Sequence, residues 1–179
     1  DVCSSDLTGG RNTQGDGQSL GYLGADFKRV AGGYQVTRIV PNGPADRKAS
    51  KLSVGDVIVS INSKPLANGV DALPRMDFMS AMQGTSGQET LLEVRNGGGK
   101  TRNMLITPTS SMADSNLRYQ DEVRQRKEMV DKLSESKLGY LHIRAMDFGS
   151  VRHYERDLFA AADGKLGLII DVRDNTGVR

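Results

Sequence analysis

The feature that most constrains this chain is a change of hydrophobic period near Pro108. Before it, short apolar stretches alternate with turns rich in glycine and proline, which is typical of β-strands joined by tight connections. After it, a charged segment without glycine repeats its apolar residues at helical spacing. Because one element cannot follow both periods, we predict two structural units, at residues 20–109 and 110–179.

The first predicted unit is an α+β domain, a small strand-rich barrel with two helices. Only a helical turn or two fits between Pro44 and Leu52. The second helix is predicted from methionines at helical spacing, Met76, Met79 and Met82, and Gly84 ends it. These methionines suit either a core or the wall of a groove. The predicted strands are 20–27, 34–40, 57–61, 89–95 and 104–107.

The second predicted unit has the order helix, strand, helix, strand, as expected at the start of an α/β domain. Its first helix is long and charged, with an apolar stripe that includes Leu117 and Leu133. The strand predicted over 166–172 is apolar on both faces. Since a crossover helix separates it from the strand over 138–143, we predict a parallel sheet covered on both sides.

Composition excludes several classes of function. A net charge of +2 provides no large positive field, so we expect no nucleic-acid partner. No run approaches the roughly 18 apolar residues of a membrane span. The single cysteine, Cys3, cannot form an internal disulfide, and no spacing of His, Cys and carboxylates fits a metal site. We therefore expect no metal and no cofactor.

The first 19 residues are predicted to be a disordered linker, because residues 8–19 are polar and glycine-rich and offer almost nothing to bury. Residues 1–7 resemble the translation of a common sequencing adapter. We treat those seven as an assembly artefact and exclude them from the predicted fold.

Three blocks of the first unit resemble the PDZ family: Tyr22–Ala25, Pro41–Ala45 and Leu52–Asn62. The resemblance implies that backbone N–H groups near Gly24 bind the carboxylate of a peptide terminus, while the peptide adds as a strand beside the following residues. Asp26 stands where the family has an apolar residue, so a scaffolding role remains an alternative. The implied peptide-binding residues are Leu23, Gly24, Ala25, Phe27, Phe78 and Met82.

The second unit resembles the core of tricorn-like and C-terminal processing serine peptidases. The resemblance is carried by Arg118-Tyr119, by Leu138–Ile143 and by Leu168–Gly177. It implies acyl transfer by a serine, with Gly177 as a backbone donor of the oxyanion hole. In the family the serine follows this loop and the histidine of tricorn-like members precedes the PDZ domain, so we expect this fragment alone to be inactive.

Two histidines and one ion pair have structural and catalytic interpretations. His142 lies in the strand motif, and we interpret it as a packed or hydrogen-bonded residue rather than a base. His153 is interpreted as a solvated helix residue. Asp171 and Arg173 end the last strand, where parallel sheets place functional residues, but we expect an ion pair that stabilises the strand end.

The sequence thus predicts a fragment of a serine-type peptidase that acts on peptides or unfolded proteins. The alternative is a non-catalytic PDZ protein that binds peptides or serves as a scaffold. The resemblance also implies homo-oligomers in the full-length protein. Bacterial relatives are often exported and archaeal relatives are cytosolic, so it favours an exported or periplasmic location without excluding the cytoplasm.

Overall fold

The computed structural model describes residues 19–66, 77–145 and 148–175, with side chains from 154 onward in the last range. The chain divides into two compact units, Asp1–Leu117 and Arg118–Arg179. The predictions for the linker 1–18, for Cys3, Met76 and Gly177, and for the side chain of His153 lie outside the described residues.

The first unit contains an antiparallel sheet with the strand order β1-β2-β3-β5-β6, and β4 pairs with β3. The β1–β2 hairpin turns at Gly32 and Gly33, which have φ angles of 87° and 147°. A Cβ at Gly33 would lie 2.0 Å from the carbonyl oxygen of Ile58, so only glycine fits this approach. The strands are β1 Ala25–Val30, β2 Gly33–Ile39, β3 Val57–Ile61, β4 Lys64–Pro65, β5 Thr90–Arg95 and β6 Thr101–Ile106.

The core of this unit forms where the inward faces of the strands meet the turns and one short helix. The buried strand over 57–61 was predicted with its observed bounds, and Ile58 and Ile61 are almost completely buried. The largest buried side chains are Leu52, Ile58, Ile61, Leu66, Met82, Leu92 and Ile106.

Two helical predictions for the first unit are refined by the structure. The segment after Pro44 forms two 3-10 turns, Pro44–Asp46 and Lys48–Ser50, because Arg47 between them is extended. Helix α1 is the single turn Phe78–Ala81. Asp77 caps it by accepting hydrogen bonds from the N–H groups of Met79 and Ser80.

The predicted first strand starts later than expected. Tyr22 forms only an isolated antiparallel bridge with Thr109, and β1 begins at Ala25. The prediction from 20 was wrong at this end because Gly24 has a φ of 67°, which no strand accommodates.

In the second unit the predicted order and parallel pairing are confirmed. Strand β7 pairs with β8 in parallel, from Leu138 opposite Gly167 to His142 opposite Asp171. The elements are α2 Ser111–Leu133, which begins in the first unit, β7 Leu138–His142, α3 Phe148–Ala162 and β8 Gly167–Asp171.

The prediction that this sheet is covered on both sides is wrong for the described residues. Ile169 and Ile170 are 41% and 45% exposed, so neither face of β8 is fully covered in the described part of the chain, and β8 pairs there only with β7. Leu133, a member of the predicted packing stripe, is 79% exposed. Among the described residues, none of the helices is both long and apolar enough to cross a bilayer.

Candidate functional sites

The loop Tyr22–Ala25 directs its carbonyl groups into the fold. The carbonyl oxygen of Leu23 accepts a hydrogen bond from the N–H of Ala45, and that of Gly24 accepts one from Val40, both at 2.8 Å. Within the described residues, no acceptor is assigned to the N–H groups of Leu23 and Gly24. These two backbone donors lie in the loop where the sequence predicted a carboxylate-binding site, and that role stays a prediction.

Gly24 is required by the shape of this loop. Its φ of 67° is in the left-handed region, and a Cβ there would lie 2.9 Å from the Cα of Gly43 and 3.1 Å from Cδ of Pro44. The Pro41–Ala45 block thus packs directly against the loop, which explains why the two blocks occur together.

The predicted peptide-binding side chains are placed mostly in the core. Leu23, Ala25 and Met82 are 3%, 7% and 0% exposed. Met82 is therefore a core side chain rather than a surface residue, while Met79 is 53% exposed.

Phe27 and Phe78, the other two predicted side chains, contact each other. Their ring centroids are 4.8 Å apart, and Phe78 also lies 5.2 Å from the ring of Tyr34. These contacts join α1 to β1 and β2, the two sides between which the family would insert a peptide.

Asp26, which departs from the family pattern, faces its cross-strand partner. Its carboxylate lies 3.7 Å from Arg38, and both side chains are substantially exposed. Asp26 and Arg38 therefore form an ion pair on the surface of the sheet rather than a buried one.

Asp171 is the centre of a polar network in the second unit. Its carboxylate accepts hydrogen bonds from Nε and Nη2 of Arg173, at 2.8 and 2.5 Å, and from the Tyr140 hydroxyl at 2.7 Å. Arg126 approaches Oδ2 at 3.5 Å. The hydrogen bonds from Arg173 and then Tyr140 hold the pKa of Asp171 well below its usual range. The predicted structural ion pair is confirmed.

His142 is held through both ring nitrogens. Nε2 lies 2.9 Å from the carbonyl oxygen of Arg173, and Nδ1 lies 2.8 Å from the hydroxyl of Tyr119. The predicted hydrogen-bonded interpretation is confirmed, because both ring nitrogens have a hydrogen-bond partner. The Tyr119 contact was missed by sequence reasoning. The only available signal was the presence of Tyr119 in the motif at 118–119.

The chain turns immediately after β8. The N–H of Asn175 donates to the carbonyl of Val172 at 3.3 Å, and Asp174 has a left-handed φ of 59°. The Asn175 side chain donates to the carbonyl of Ile143 at 2.8 Å. This second link between the ends of β7 and β8 was also missed by sequence reasoning. Gly177, the predicted oxyanion donor, lies just beyond the described residues.

Several cavities border these elements, and one of about 400 Å³ is lined by residues of the Asp171 network, including Arg126, Tyr140 and Arg173. One of about 370 Å³ is lined by Tyr119, His142, Arg144 and Tyr154 among others, beside the end of β7. A cavity of about 600 Å³ lies between the 3-10 turns and β6 and contains none of the predicted site residues. Among the described residues, no cluster of His, Cys and carboxylates could hold a metal ion.

Comparison with known proteins finds sequence similarity across both structural units. Residues 9–95 match the family model of the PDZ domain. The chain is 32% identical over 171 residues to tricorn protease homolog 1 of Streptomyces coelicolor, covering 93% of this chain and 16% of that protein. It is 24% identical over 177 residues to the tricorn protease of Thermoplasma volcanium, covering 94% and 16%.

The same relationship holds at the level of the fold. A crystal structure of the tricorn protease superposes with a TM-score of 0.72 at 23% identity, over 89% of this chain and 15% of that one. The chain thus spans about one sixth of the length of these relatives.

Proposed function

We propose, from the premise that this chain is a PDZ-containing segment of a tricorn-like protease, that the full-length protein is a serine-type peptidase. The observation that carries the proposal is the extent of the similarity, since 171 aligned residues span both structural units. A match confined to the PDZ domain would favour a binding module instead. Residues 118–179 then form the start of the peptidase core.

In this proposal the PDZ unit binds a peptide terminus through its backbone. The unassigned N–H groups of Leu23 and Gly24 lie in a loop whose carbonyls are already used inside the fold. Each charge-assisted hydrogen bond to a carboxylate contributes about 1.5–3 kcal/mol, enough to orient a terminus. Because Leu23 and Ala25 are buried, the peptide must open a path to these donors.

Gly177 supplies a backbone N–H to the oxyanion of the tetrahedral intermediate. The serine that attacks and the base that removes its proton come from residues outside this segment. A single oxyanion donor raises the turnover rate by a factor of about 10²–10³. The 179-residue chain, without the nucleophile, has no turnover of its own.

Peptidase activity is tested on the full-length gene product with a fluorogenic peptide library and a fluorophosphonate probe, which labels activated serines. We expect turnover and labelling of the full-length protein and neither for the 179-residue chain. Gly177→Pro removes the N–H, whereas Gly177→Ala keeps it, so the proline variant is expected to lose far more turnover. A full-length protein that neither labels nor cleaves would contradict the serine-peptidase function.

Peptide binding is tested separately on the 179-residue chain. Peptides taken from unfolded-protein sequences, with an apolar C-terminal residue, are titrated once with a free C-terminal carboxylate and once with an amidated C-terminus. The backbone N–H resonances of Leu23 and Gly24 are followed by NMR. We expect shifts at both resonances with the free carboxylate only. Equal binding of the amide, or shifts elsewhere, would leave the PDZ unit as a scaffold even if the full-length protein cleaves peptides.

A further inference from the structure

His142 has a defined protonation pattern because of the group that each nitrogen faces. A backbone carbonyl only accepts hydrogen bonds, so the contact from Nε2 to the oxygen of Arg173 at 2.9 Å requires a proton on Nε2. In the neutral imidazole, Nδ1 is then an acceptor. The hydroxyl of Tyr119, 2.8 Å away, must be its donor.

The environment of Tyr119 suits that donor role. Burial raises the pKa of Tyr119, although the nearby Arg144 and Arg126 oppose the shift. The hydroxyl therefore keeps its proton at neutral pH. The guanidinium carbon of Arg144 lies 4.6 Å from the ring centroid, a cation–π contact that helps to hold the ring in place.

A second set of hydrogen bonds holds the same turn. The N–H of Ile143 donates to the carbonyl of Asp171 at 2.9 Å, and the Asn175 side chain donates to the carbonyl of Ile143 at 2.8 Å. Together with the His142 contact, these bonds bind the end of β7 to residues 171–175. Asp174, which has a left-handed φ of 59°, lies within this stretch of chain.

We infer that Tyr119, His142 and Asn175 form a clasp that positions the turn at 172–175 and thereby the loop that carries Gly177, an inference that rests on the proposed function. None of the three is a catalytic residue. They are positioning residues, because their bonds fix the turn at 172–175, which ends two positions before Gly177 in the sequence. A misplacement of about 1 Å in a catalytic group costs on the order of 10²-fold in rate.

The geometry of the clasp is tested on the 179-residue chain by long-range ¹H–¹⁵N NMR of the imidazoles. The chain has only two histidines, so His142→Gln assigns the spectrum by difference. We expect the neutral form of His142 to carry its proton on Nε2, and Tyr119→Phe to change its Nδ1 shift. A proton on Nδ1, or rapid averaging of the two tautomers, would overturn the clasp.

The effect of the clasp on catalysis is tested by steady-state kinetics of the full-length protein. Rates are normalised to the fraction of enzyme whose serine reacts with the fluorophosphonate probe. His142→Leu is expected to lower kcat at least tenfold with KM changed less than twofold, because substrate binding is retained and oxyanion stabilisation is not. His142→Gln restores an N–H donor and should recover most of kcat. His153→Gln is the matched control and should resemble the wild type.

A merely structural role would change the titrated fraction or the thermal midpoint and leave kcat per titrated site unchanged. If the wild-type enzyme is active and His142→Leu has the same kcat per titrated site, this inference is overturned while the proposed function stands. An inactive and unlabelled wild-type protein would overturn the proposed function and this inference with it, even if the NMR spectrum shows the expected tautomer.

Discussion

Asp171 and Arg173 form a bidentate ion pair within one strand end, with Nε of Arg173 2.8 Å from Oδ1 and Nη2 2.5 Å from Oδ2 of Asp171. The two residues are separated by one position, so their side chains lie on the same side of the chain. The N–H of Arg173, just beyond the end of β8, also donates to Oδ1 of Asp171 at 3.1 Å. The pair therefore reports on the folded geometry of β8 and the turn that follows.

The pair predicts a dependence of stability on acid. The pKa of Asp171 is lower in the folded chain than its ordinary value of 3.8, so its contribution to stability is present above about pH 4 and is lost as the pH falls toward the folded pKa. Asp171→Asn should be less stable than the wild type at pH 7, and the difference should shrink by pH 3. Denaturant midpoints at the two pH values measure this.

The control for that measurement is Asp163→Asn, which changes an exposed carboxylate that has no ion pair among the described residues. We expect it to resemble the wild type at both pH values. An Asp171→Asn difference that stays constant from pH 7 to pH 3 would show that the charge of this carboxylate does not stabilise the fold.

Gly24 should tolerate alanine poorly, for two separable reasons. Its positive φ costs an L-residue roughly 1–2 kcal/mol, and the new Cβ would lie 2.9 Å from the Cα of Gly43. Gly87 has a φ of 74° with no atom near its Cβ position, so Gly87→Ala carries only the first cost. Equilibrium denaturation should therefore rank Gly24→Ala as the less stable variant. Equal losses would mean that the contact with Gly43 relaxes freely.

The two methionines near α1 should respond differently to truncation. Met82→Ala removes a completely buried side chain and is expected to cost about 2–5 kcal/mol of unfolding free energy. Met79→Ala, 53% exposed, is expected to cost about 0.5 kcal/mol or less. The comparison uses one residue type within four positions of chain. Similar losses at both sites would contradict the placement of Met82 in the core.

The 179-residue chain should self-associate through its second unit. Leu166 is 85% exposed and Ile170 45%, and β8 pairs only with β7 among the described residues, so apolar side chains and strand edges face water together. Light scattering over a concentration series should show an increase in mass. Ile170→Lys should reduce it, provided that circular dichroism shows a folded chain.

Val54→Lys is the matched control for self-association, since Val54 is 66% exposed but lies in the first unit. It should leave the association unchanged. A wild-type chain that remains monomeric at every concentration would contradict the prediction.

Local pattern predicted most of the elements but not their contacts. The β-branched run at 57–61 has a single plausible structure, and the helix and strand periods after Pro108 separate cleanly. The start of β1 was predicted too early, because the alternating pattern through residues 20–27 does not reveal that Gly24 adopts a left-handed conformation. The prediction that β8 is covered on both faces was also wrong, because apolar side chains indicate only that a strand can be buried.

The sequence by itself determined the order of elements, the parallel pairing of β7 with β8, and the glycines at which the backbone must turn, since hydrophobic period and backbone sterics act over a few residues. Only the tertiary structure decided that Met82 is core and Met79 is surface, and that His142 lies between Tyr119 and Arg173. Those contacts join residues 23 and 31 positions apart, or depend on which face of one helical turn is buried. No local pattern encodes such pairings, because they follow from how the packed elements meet.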